Sequence, residues 1–247
     1  HLMMIGEAFL MCLIVFLSIK HRKILPAILS VAQTGLLFYV ELTADLPEAE
    51  HMTVDRLALL MCVIIAFVGG FICIYAVGYM KGYHHHHKEF KDRQPFFFSM
   101  LFLFLAAMFG LVLSLNLIWM YFFWEITSVI SFLLIGYTRT EEAVHNSFAA
   151  LWMNLLGGLG FAVGIGLAAF QLHSVQLTAV VEWGAPLPLA CLCLAGLTKS
   201  AQLPFSSWLL GAMVAPTPSS ALLHSATMVK AGVYLLIRLA PAMNGTI

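Results

Sequence analysis

Long apolar segments separated by short polar ones dominate the sequence. A helix of about 20 mostly apolar residues is long enough to cross the hydrocarbon core of a bilayer. The lengths of the apolar segments therefore predict a series of membrane-spanning helices. The segments are residues 2–19, 24–40, 57–79, 96–137, 148–170, 187–210 and 216–239.

The segment of residues 96–137 is too long for one span, since it has 42 residues with Glu125 as its only charge. We place a very tight turn at Ser114–Asn116, which divides this segment into a fourth and a fifth helix. The chain is then predicted to contain about eight transmembrane helices.

Composition supports this prediction. Hydrophobic residues make up 62% of the chain and charged residues 10%, against roughly 45–50% and about 25% in soluble domains. The fold class is therefore an all-α integral membrane protein. The formal net charge is zero, so the composition does not suggest nucleic acid as a partner. The five cysteines fall in apolar segments, where they are typical of small buried hydrophobic residues.

Basic residues predict the orientation, because Lys and Arg favour cytoplasmic loops. With the N-terminus outside, the outer side holds only Arg56 and Arg238, and the outer loop before Arg56 is acidic. No signal peptide is apparent, because the charges follow the first apolar segment and Glu7 interrupts it. The eight basic residues on the inner side would be Lys20, Arg22, Lys23, Lys81, Lys88, Lys91, Arg93 and Arg139.

We divide the chain into three parts. Residues 1–56 hold two helices and the acidic outer loop, residues 57–95 hold the third helix and a basic, His-rich inner loop, and residues 96–247 hold helices four to eight. The four histidines His84 to His87 are interpreted as part of a solvated loop. In the sixth helix, Gly160 and Gly164 are four residues apart, a spacing that allows helices to pack closely in lipid.

Among the ionisable residues inside the predicted spans are Glu125, Lys199 and Lys230. A charged residue at a helix centre costs roughly 2.5–3.5 kcal/mol on the insertion scale, and such residues usually mark ion pathways. Pro204 follows Lys199 and cannot donate a hydrogen bond to the Ser200 carbonyl, which predicts a kink or break there. Unwound backbone at membrane depth must face protein or water, so Lys199 is predicted to reach water.

The eighth helix carries His224, Thr227 and Lys230 at three-residue steps, so the three are predicted to follow one another along a stripe. A proton relay through these residues, Glu125 and Lys199 is one hypothesis. The other is a structural role, in which Glu125 and Lys199 pair and hold helices together. Hydroxyl groups that could bond water or the relay residues are those of Ser128, Ser131, Ser200 and Thr227.

These residues belong to sequence stretches that resemble a known family. The stretches are FFWEITSVISFLLIGY, TKSAQLPFSSWL and APTPSSALLHSATMVKAGVYLLIR, with IYAVGYM and Asp55 near the third helix. They are similar to the antiporter-like subunits shared by complex I (the L type), membrane-bound hydrogenases and Mrp-type cation/proton antiporters (the large A type). The resemblance extends from about Thr53 to Arg238.

The resemblance implies a fold of inverted five-helix repeats, each with a broken helix. Helices four to eight would form the first repeat, with the seventh helix broken. It also implies a proton relay in which Glu125 matches the glutamate of the fifth helix and Lys199 the lysine of the broken helix. His224 and Lys230 match the relay positions of the eighth helix. The chain departs from the family at Leu210-Gly211, so the loop into the eighth helix is expected to differ, and the chain ends before a second repeat.

The leading hypothesis from the sequence is a proton-translocating subunit, or half-subunit, of a complex I-related respiratory or hydrogenase complex. The alternatives are a component of an Mrp-type Na⁺/H⁺ antiporter and, from another class, a structural membrane scaffold. The sequence shows no iron–sulfur, haem or flavin ligand pattern, so we expect no cofactor and no redox chemistry of its own. The expected partners are other membrane subunits, protons and possibly Na⁺, and the expected location is a prokaryotic cell membrane.

Overall fold

The computed structural model describes residues 2–44, 46, 50–87, 89, 91–226 and 228–243 of the chain. The described residues are almost entirely helical. The α-helices are α1 Leu2–Lys20, α2 Ile24–Thr43, α3 Arg56–Ile64, α4 Gly70–His86, α5 Gln94–Leu113, α6 Leu117–Ile135, α7 Glu141–Leu172, α8 Leu177–Trp183, α9 Pro186–Lys199, α10 Ser207–Gly211, α11 Thr217–Ala221 and α12 Met228–Met243.

Two of the spans contain a π-helical turn. Residues Ile65–Gly69 join α3 to α4, and Leu222–Ala226 join α11 to α12. Seven helical stretches among the described residues are long and apolar enough to cross a membrane, with each of these joined pairs counted as one. One further span, the seventh in chain order, is divided into α9, an apolar helix of 14 residues, and the short α10. The prediction of an all-α membrane protein with about eight spans and a broken seventh helix is therefore confirmed.

The tight turn between the fourth and fifth spans is also confirmed. Helix α5 ends at Leu113 and α6 begins at Leu117, where the Asn116 side chain accepts a hydrogen bond of 2.8 Å from the Ile118 N–H. Antiparallel bridges join Met52 to Ser114 and Asn116 to Gln176. These loops therefore lie together on the side at which α1 begins, which we call the N-terminal face. Of the acidic loop predicted there, residues 45 and 47–49 lie outside the described residues.

A polar contact on the N-terminal face connects the start of α3 with α12. Asp55 accepts hydrogen bonds from the Ala58 N–H at 2.8 Å and from the guanidinium of Arg238. Partial burial opposes ionisation of Asp55, but the hydrogen bonds from Arg238 and Ala58 outweigh it and hold the Asp55 pKa below its ordinary value. Arg238 also donates to the Tyr234 hydroxyl, which donates to the Val112 carbonyl of α5 at 2.6 Å.

Glycines allow the long helices of the second half to pack closely. A Cβ added at Gly160 would lie 3.4 Å from the Cys191 carbonyl, and one at Gly164 would lie 3.1 Å from the Leu192 side chain. Both glycines of α7 therefore face α9, as their spacing predicts. Gly196 of α9 in turn packs against Gly232 of α12. A Cβ added at Gly232 would lie 2.7 Å from the Ser200 nitrogen. The end of α9 is thus held between α7 and α12.

The histidine cluster differs from its prediction. His84, His85 and His86 belong to the last turn of α4, so the helix continues beyond residue 79 and the loop begins at His87. The His84 imidazole shares a hydrogen bond of 3.0 Å with the Tyr137 hydroxyl and lies 3.6 Å from Asp92. These contacts stabilise an additional helical turn that apolar periodicity cannot indicate.

Candidate functional site

Glu125 and Lys199 lie in the interior of the helix bundle. Glu125 is on α6 and 1% exposed, whereas Lys199 is the last residue of α9 and completely buried. Helix α7 packs against both α6 and α9. The sequence-based prediction that these two residues lie inside the spans agrees with the structure, which brings them into the same region.

Lys199 is bound by neutral groups of α6. Its Nζ donates hydrogen bonds of 3.0 Å to the Trp124 carbonyl and 2.8 Å to the Ser128 hydroxyl. The same Nζ lies 4.9 Å from the centre of the Trp124 ring, a geometry that stabilises a cation. The Trp124 ring stacks on Phe161 of α7 at 5.2 Å. These contacts fix the amine beside one turn of α6.

The Glu125 carboxylate points to a different neighbour. A Cβ added at Gly158 of α7 would lie 2.5 Å from Glu125 Oε1 and 2.9 Å from Gln33 Oε1. Both oxygens therefore converge on the bare backbone of Gly158. Glu125 and Lys199 are not in ion-pair contact, although each acts electrostatically on the other. The structure thus shows an amine and a carboxylate that are neighbours but have separate partners.

The break in the seventh span begins at Lys199 and not at Pro204. The Gln202 N–H bonds to the Leu197 carbonyl and the Ala201 N–H to the Thr198 carbonyl, at 3.0 and 3.2 Å. With Ala201 in the left-handed conformation at φ +52°, this is a Schellman motif, which ends helices and usually has glycine at that position. Pro204 lies exposed in the segment between α9 and α10.

Trp208 connects the two halves of the broken span. Its indole N–H donates a hydrogen bond of 3.1 Å to the Thr198 carbonyl, and the side chain is 1% exposed. Carbonyls at the end of a helix lack intrahelical partners. The Thr198 carbonyl already accepts the Ala201 N–H, so Trp208 adds a second hydrogen bond to it next to Lys199 and connects the interrupted backbone to α10.

Gly157 and Gly158 bring the helices of the site together. A Cβ at Gly157 would overlap the Thr198 hydroxyl, so this glycine allows α9 to approach α7 beside Lys199. Gly158 allows α6 and α2 to approach from the other side. The glycines selected from the sequence were Gly160 and Gly164, and this pair was missed, although two adjacent glycines were a usable signal.

The hydroxyl groups predicted near the relay have definite partners. Ser128 binds Lys199, whereas Ser131 donates to the Thr127 carbonyl at 2.6 Å and also contacts the Met228 sulfur at 2.9 Å. Ser200 donates to the Gly196 carbonyl at 2.5 Å. Ser128 is thus the hydroxyl that contacts the site directly, and Thr227 lies outside the described residues.

The eighth-span residues are arranged differently from the predicted stripe. His224 lies in the π-helical turn, is half-buried, and its Nε2 has no hydrogen-bond partner. Lys230 is exposed on α12. A π turn inserts a residue into the helix, so residues on its two sides do not keep the faces that a continuous α-helix would give them. The predicted stripe from His224 to Lys230 is therefore interrupted.

The comparisons with known proteins agree with this fold. A family model described as NADH:quinone oxidoreductase/Mrp antiporter, transmembrane, matches residues 114–247, which include Glu125 and Lys199. The chain belongs to this family. A second model, described as the N-terminus of chain 5 of NADH-ubiquinone oxidoreductase (complex I), matches residues 49–90. The chain therefore has the antiporter-like sequence of the complex I/Mrp family in both of these regions.

Two of the similar proteins are named as antiporter subunits. The chain is 40% identical to the A/B subunit of a probable K⁺/H⁺ antiporter of Rhizobium meliloti (strain 1021), over 87% of this chain and 22% of the relative. It is 38% identical to the A1 subunit of a Na⁺/H⁺ antiporter of Staphylococcus aureus (strain JH9), over 76% of this chain and 24% of the relative.

A solved structure shows the same architecture. A chain of the Mrp complex from Dietzia sp. DQ12-45-1b matches with a TM-score of 0.69 and 26% identity, over 98% of this chain and 28% of that chain. The chain thus spans about a quarter of the length of the relatives that it matches. Among the hypotheses from the sequence, the Mrp alternative is supported better than the complex I or hydrogenase hypothesis.

Proposed function

We propose that this chain is part of the A-type subunit of an Mrp-type antiporter that exchanges a monovalent cation for protons. The observation that supports it most is the 40% identity to a K⁺/H⁺ antiporter subunit over 87% of the chain. The Mrp complex of Dietzia, which covers nearly the whole chain, supports the same assignment.

Within this function, we assign proton transfer to Lys199 and Glu125. A lysine can release its proton when buried, whereas an arginine stays charged. In the described structure the Lys199 amine contacts a carbonyl and a hydroxyl, and Glu125 lies nearby without touching it. Movement of the two side chains into direct contact would form an ion pair and so change how strongly the amine holds its proton.

The same geometry disfavours the scaffold hypothesis. A charge pair that only holds helices together gains its energy from direct contact, because two separated buried charges each carry an uncompensated desolvation cost. Glu125 and Lys199 do not make that contact. We propose His224 and Lys230 as the residues that pass protons on from Lys199. His224 hydrogen-bonds to the Leu209 backbone in α10, just after the break.

The proposed orientation keeps the N-terminal face outside. Lys20, Arg93 and Arg139 line one cavity of about 320 Å³ on the opposite face. Such clustering of basic groups is typical of the cytoplasmic side. Protons would then move between the outer N-terminal face and the inner face through the interior that contains Lys199.

The proposed function is tested by purifying the native complex through a tag on this chain. We expect other Mrp-type subunits to copurify, and we expect the reconstituted complex to acidify or alkalinise vesicles when Na⁺ or K⁺ is added. Recovery of hydrogenase or quinone-reductase subunits instead would contradict the assignment and return the chain to the complex I-related hypothesis.

Gly158→Ala tests whether the position of the Glu125 carboxylate matters. The new methyl group would lie 2.5 Å from Glu125 Oε1, so the carboxylate must shift. We expect proton movement to slow by about tenfold, because small misplacements of reacting groups have large effects on rate. The rate is measured with a pH-sensitive dye in membrane vesicles after cation addition.

Gly35→Ala is the matched control for this variant. It makes the same change on α2, at a position where a Cβ has no neighbour within 4 Å. Both variants gain the same intrinsic helix preference of about 1 kcal/mol. Equal rates for the two assembled variants would show that the close approach at Gly158 is not needed.

A further inference from the structure

A second buried carboxyl group lies on the N-terminal side of Glu125. Glu7 of α1 is 5% exposed, and its Oε1 has no hydrogen-bond partner. The charges of Glu125 on α6 and Glu41 on α2 both act on it. The contacts that occupy Lys199 do not involve Glu7, so the arrangement around Lys199 does not explain why this carboxyl group is buried.

Two neutral polar side chains accompany the carboxyl groups. Gln33 of α2 is 1% exposed, and its unpartnered Oε1 converges with Glu125 Oε1 on Gly158. Tyr121 of α6 is fully buried with an unpartnered hydroxyl, on which Glu125 and Glu7 both act. Buried polar atoms are normally hydrogen-bonded. The unpartnered Tyr121 hydroxyl and the buried Gln33 amide, from α6 and α2, are therefore an observation independent of the acidic residues themselves.

Three carboxyl groups, those of Glu7, Glu41 and Glu125, are concentrated in this cluster. Glu7 Oε1 and Glu41 Oε2 lack a bonded donor, and the Gln33 amide is the side-chain group that hydrogen-bonds to Glu125. Leaving ionised carboxylates buried in this way is costly, unless a positive charge or a proton joins them. A proton on one carboxyl group would turn it into a donor that a neighbouring oxygen can accept. The chemistry of the cluster is therefore suited to holding and passing protons.

The residues also form a graded series in depth. At 1.5 Å per residue, Glu41 lies about 3 Å from the end of α2, Glu7 about 8 Å from the start of α1, and Glu125 about 12 Å from the start of α6. By the same measure, Lys199 lies about 20 Å from the start of α9. All four helix ends are on the N-terminal face, so the series leads from that face to Lys199.

We propose that Glu7 binds the protons that pass between the N-terminal face and Glu125, with Glu41 at the opening of this path. Gln33 and Tyr121 line the path. The Tyr121 hydroxyl can both donate and accept a hydrogen bond. In each step a carboxylate takes up a proton from the side of the N-terminal face and releases it to the next oxygen. One O–H bond forms as another breaks, and no other bond changes. This inference rests on the proposed function and adds the route by which protons reach the site.

The test compares Glu7→Gln and Glu7→Asp in the assembled complex. Gln keeps the shape but cannot carry a proton, and we expect it to slow cation-driven proton movement by about tenfold or more. Asp keeps a carboxyl group and should retain a larger share of the rate. The control is Glu142→Gln, which removes an exposed carboxyl group at the start of α7. The rates are normalised to the amount of complex on a native gel.

Two transport results would overturn the proposal. One is a wild-type rate for assembled Glu7→Gln. The other is a Glu7→Gln variant that keeps the wild-type maximal rate but needs a higher cation concentration to reach half of that rate. This result would make Glu7 a cation ligand. A normal Glu7→Gln rate combined with an inactive Lys199→Arg variant would refute this inference while leaving the proposed function intact.

A chemical readout on the wild-type complex remains available if Glu7→Gln fails to assemble. Dicyclohexylcarbodiimide modifies protonated carboxyl groups in apolar surroundings, and mass spectrometry locates the adduct. We expect an adduct on Glu7 that decreases as the pH rises. Absence of that adduct at every pH, or an amount that does not change with pH, would contradict proton binding by Glu7, whichever cation the complex transports.

Discussion

Glu125→Gln is expected to slow cation-driven proton movement by about tenfold or more while the complex still assembles. The buried Lys199 amine is held by the Trp124 carbonyl and the Ser128 hydroxyl, which are both neutral. Glu125 is the carboxylate whose charge acts on it. Glutamine keeps nearly the same shape beside Gly158 but removes that negative charge, which is what favours the ammonium form of the lysine.

The matched control for this variant is Glu182→Gln, because Glu182 is exposed on the short helix α8. Both variants change the net charge equally, so general effects on insertion or membrane potential should be alike. Initial rates in everted membrane vesicles, normalised to assembled complex, give the comparison. Similar rates for the two variants would mean that the Glu125 charge has no part in proton movement.

Lys199→Arg is expected to abolish proton movement to within background. Arginine keeps a positive charge next to Trp124 and Ser128 but does not release its proton in proteins. If Lys199 only held Glu125 in place electrostatically, arginine would be a tolerable replacement. If Lys199 carries the proton, the variant assembles but does not transport.

The positions of the spans could be predicted from the sequence because lipid imposes a simple requirement. Each span needs about 20 apolar residues with all backbone groups bonded internally. That requirement led to the turn at Ser114–Asn116 and to the placement of Glu125 and Lys199 inside spans. Local composition was sufficient for these predictions.

The site of the helix break could not be predicted as well. Pro204 was the visible signal, yet the helix ends five residues earlier at a Schellman motif whose left-handed residue is Ala201. Glycine usually marks such an ending, and its absence hid the signal. The closing hydrogen bond from Trp208 to Thr198 spans ten residues and depends on how the two half-helices pack.

The residues around the site were hidden for a related reason. Glu7 stood out in the sequence only as an interruption of the first apolar segment. Gln33 of α2 lies beside Glu125 of α6 at Gly158, so their association depends on tertiary packing. The π turn at Leu222–Ala226 likewise breaks a stripe that three-residue spacing predicts, and the spacing itself carries no sign of that turn.

Lys199 is expected to take up and release a proton during transport. The most direct test is the pH dependence of exchange by assembled wild-type, Lys199→Arg and Lys199→His complexes, with Lys20→Arg as the exposed-lysine control. Imidazole titrates near pH 6.5 in model peptides and the lysine amine near about 10.4. We predict no exchange by Lys199→Arg at any pH, partial exchange by Lys199→His with an optimum at lower pH, and normal exchange by Lys20→Arg. Exchange by assembled Lys199→Arg at the wild-type rate and with the wild-type pH profile would contradict the claim.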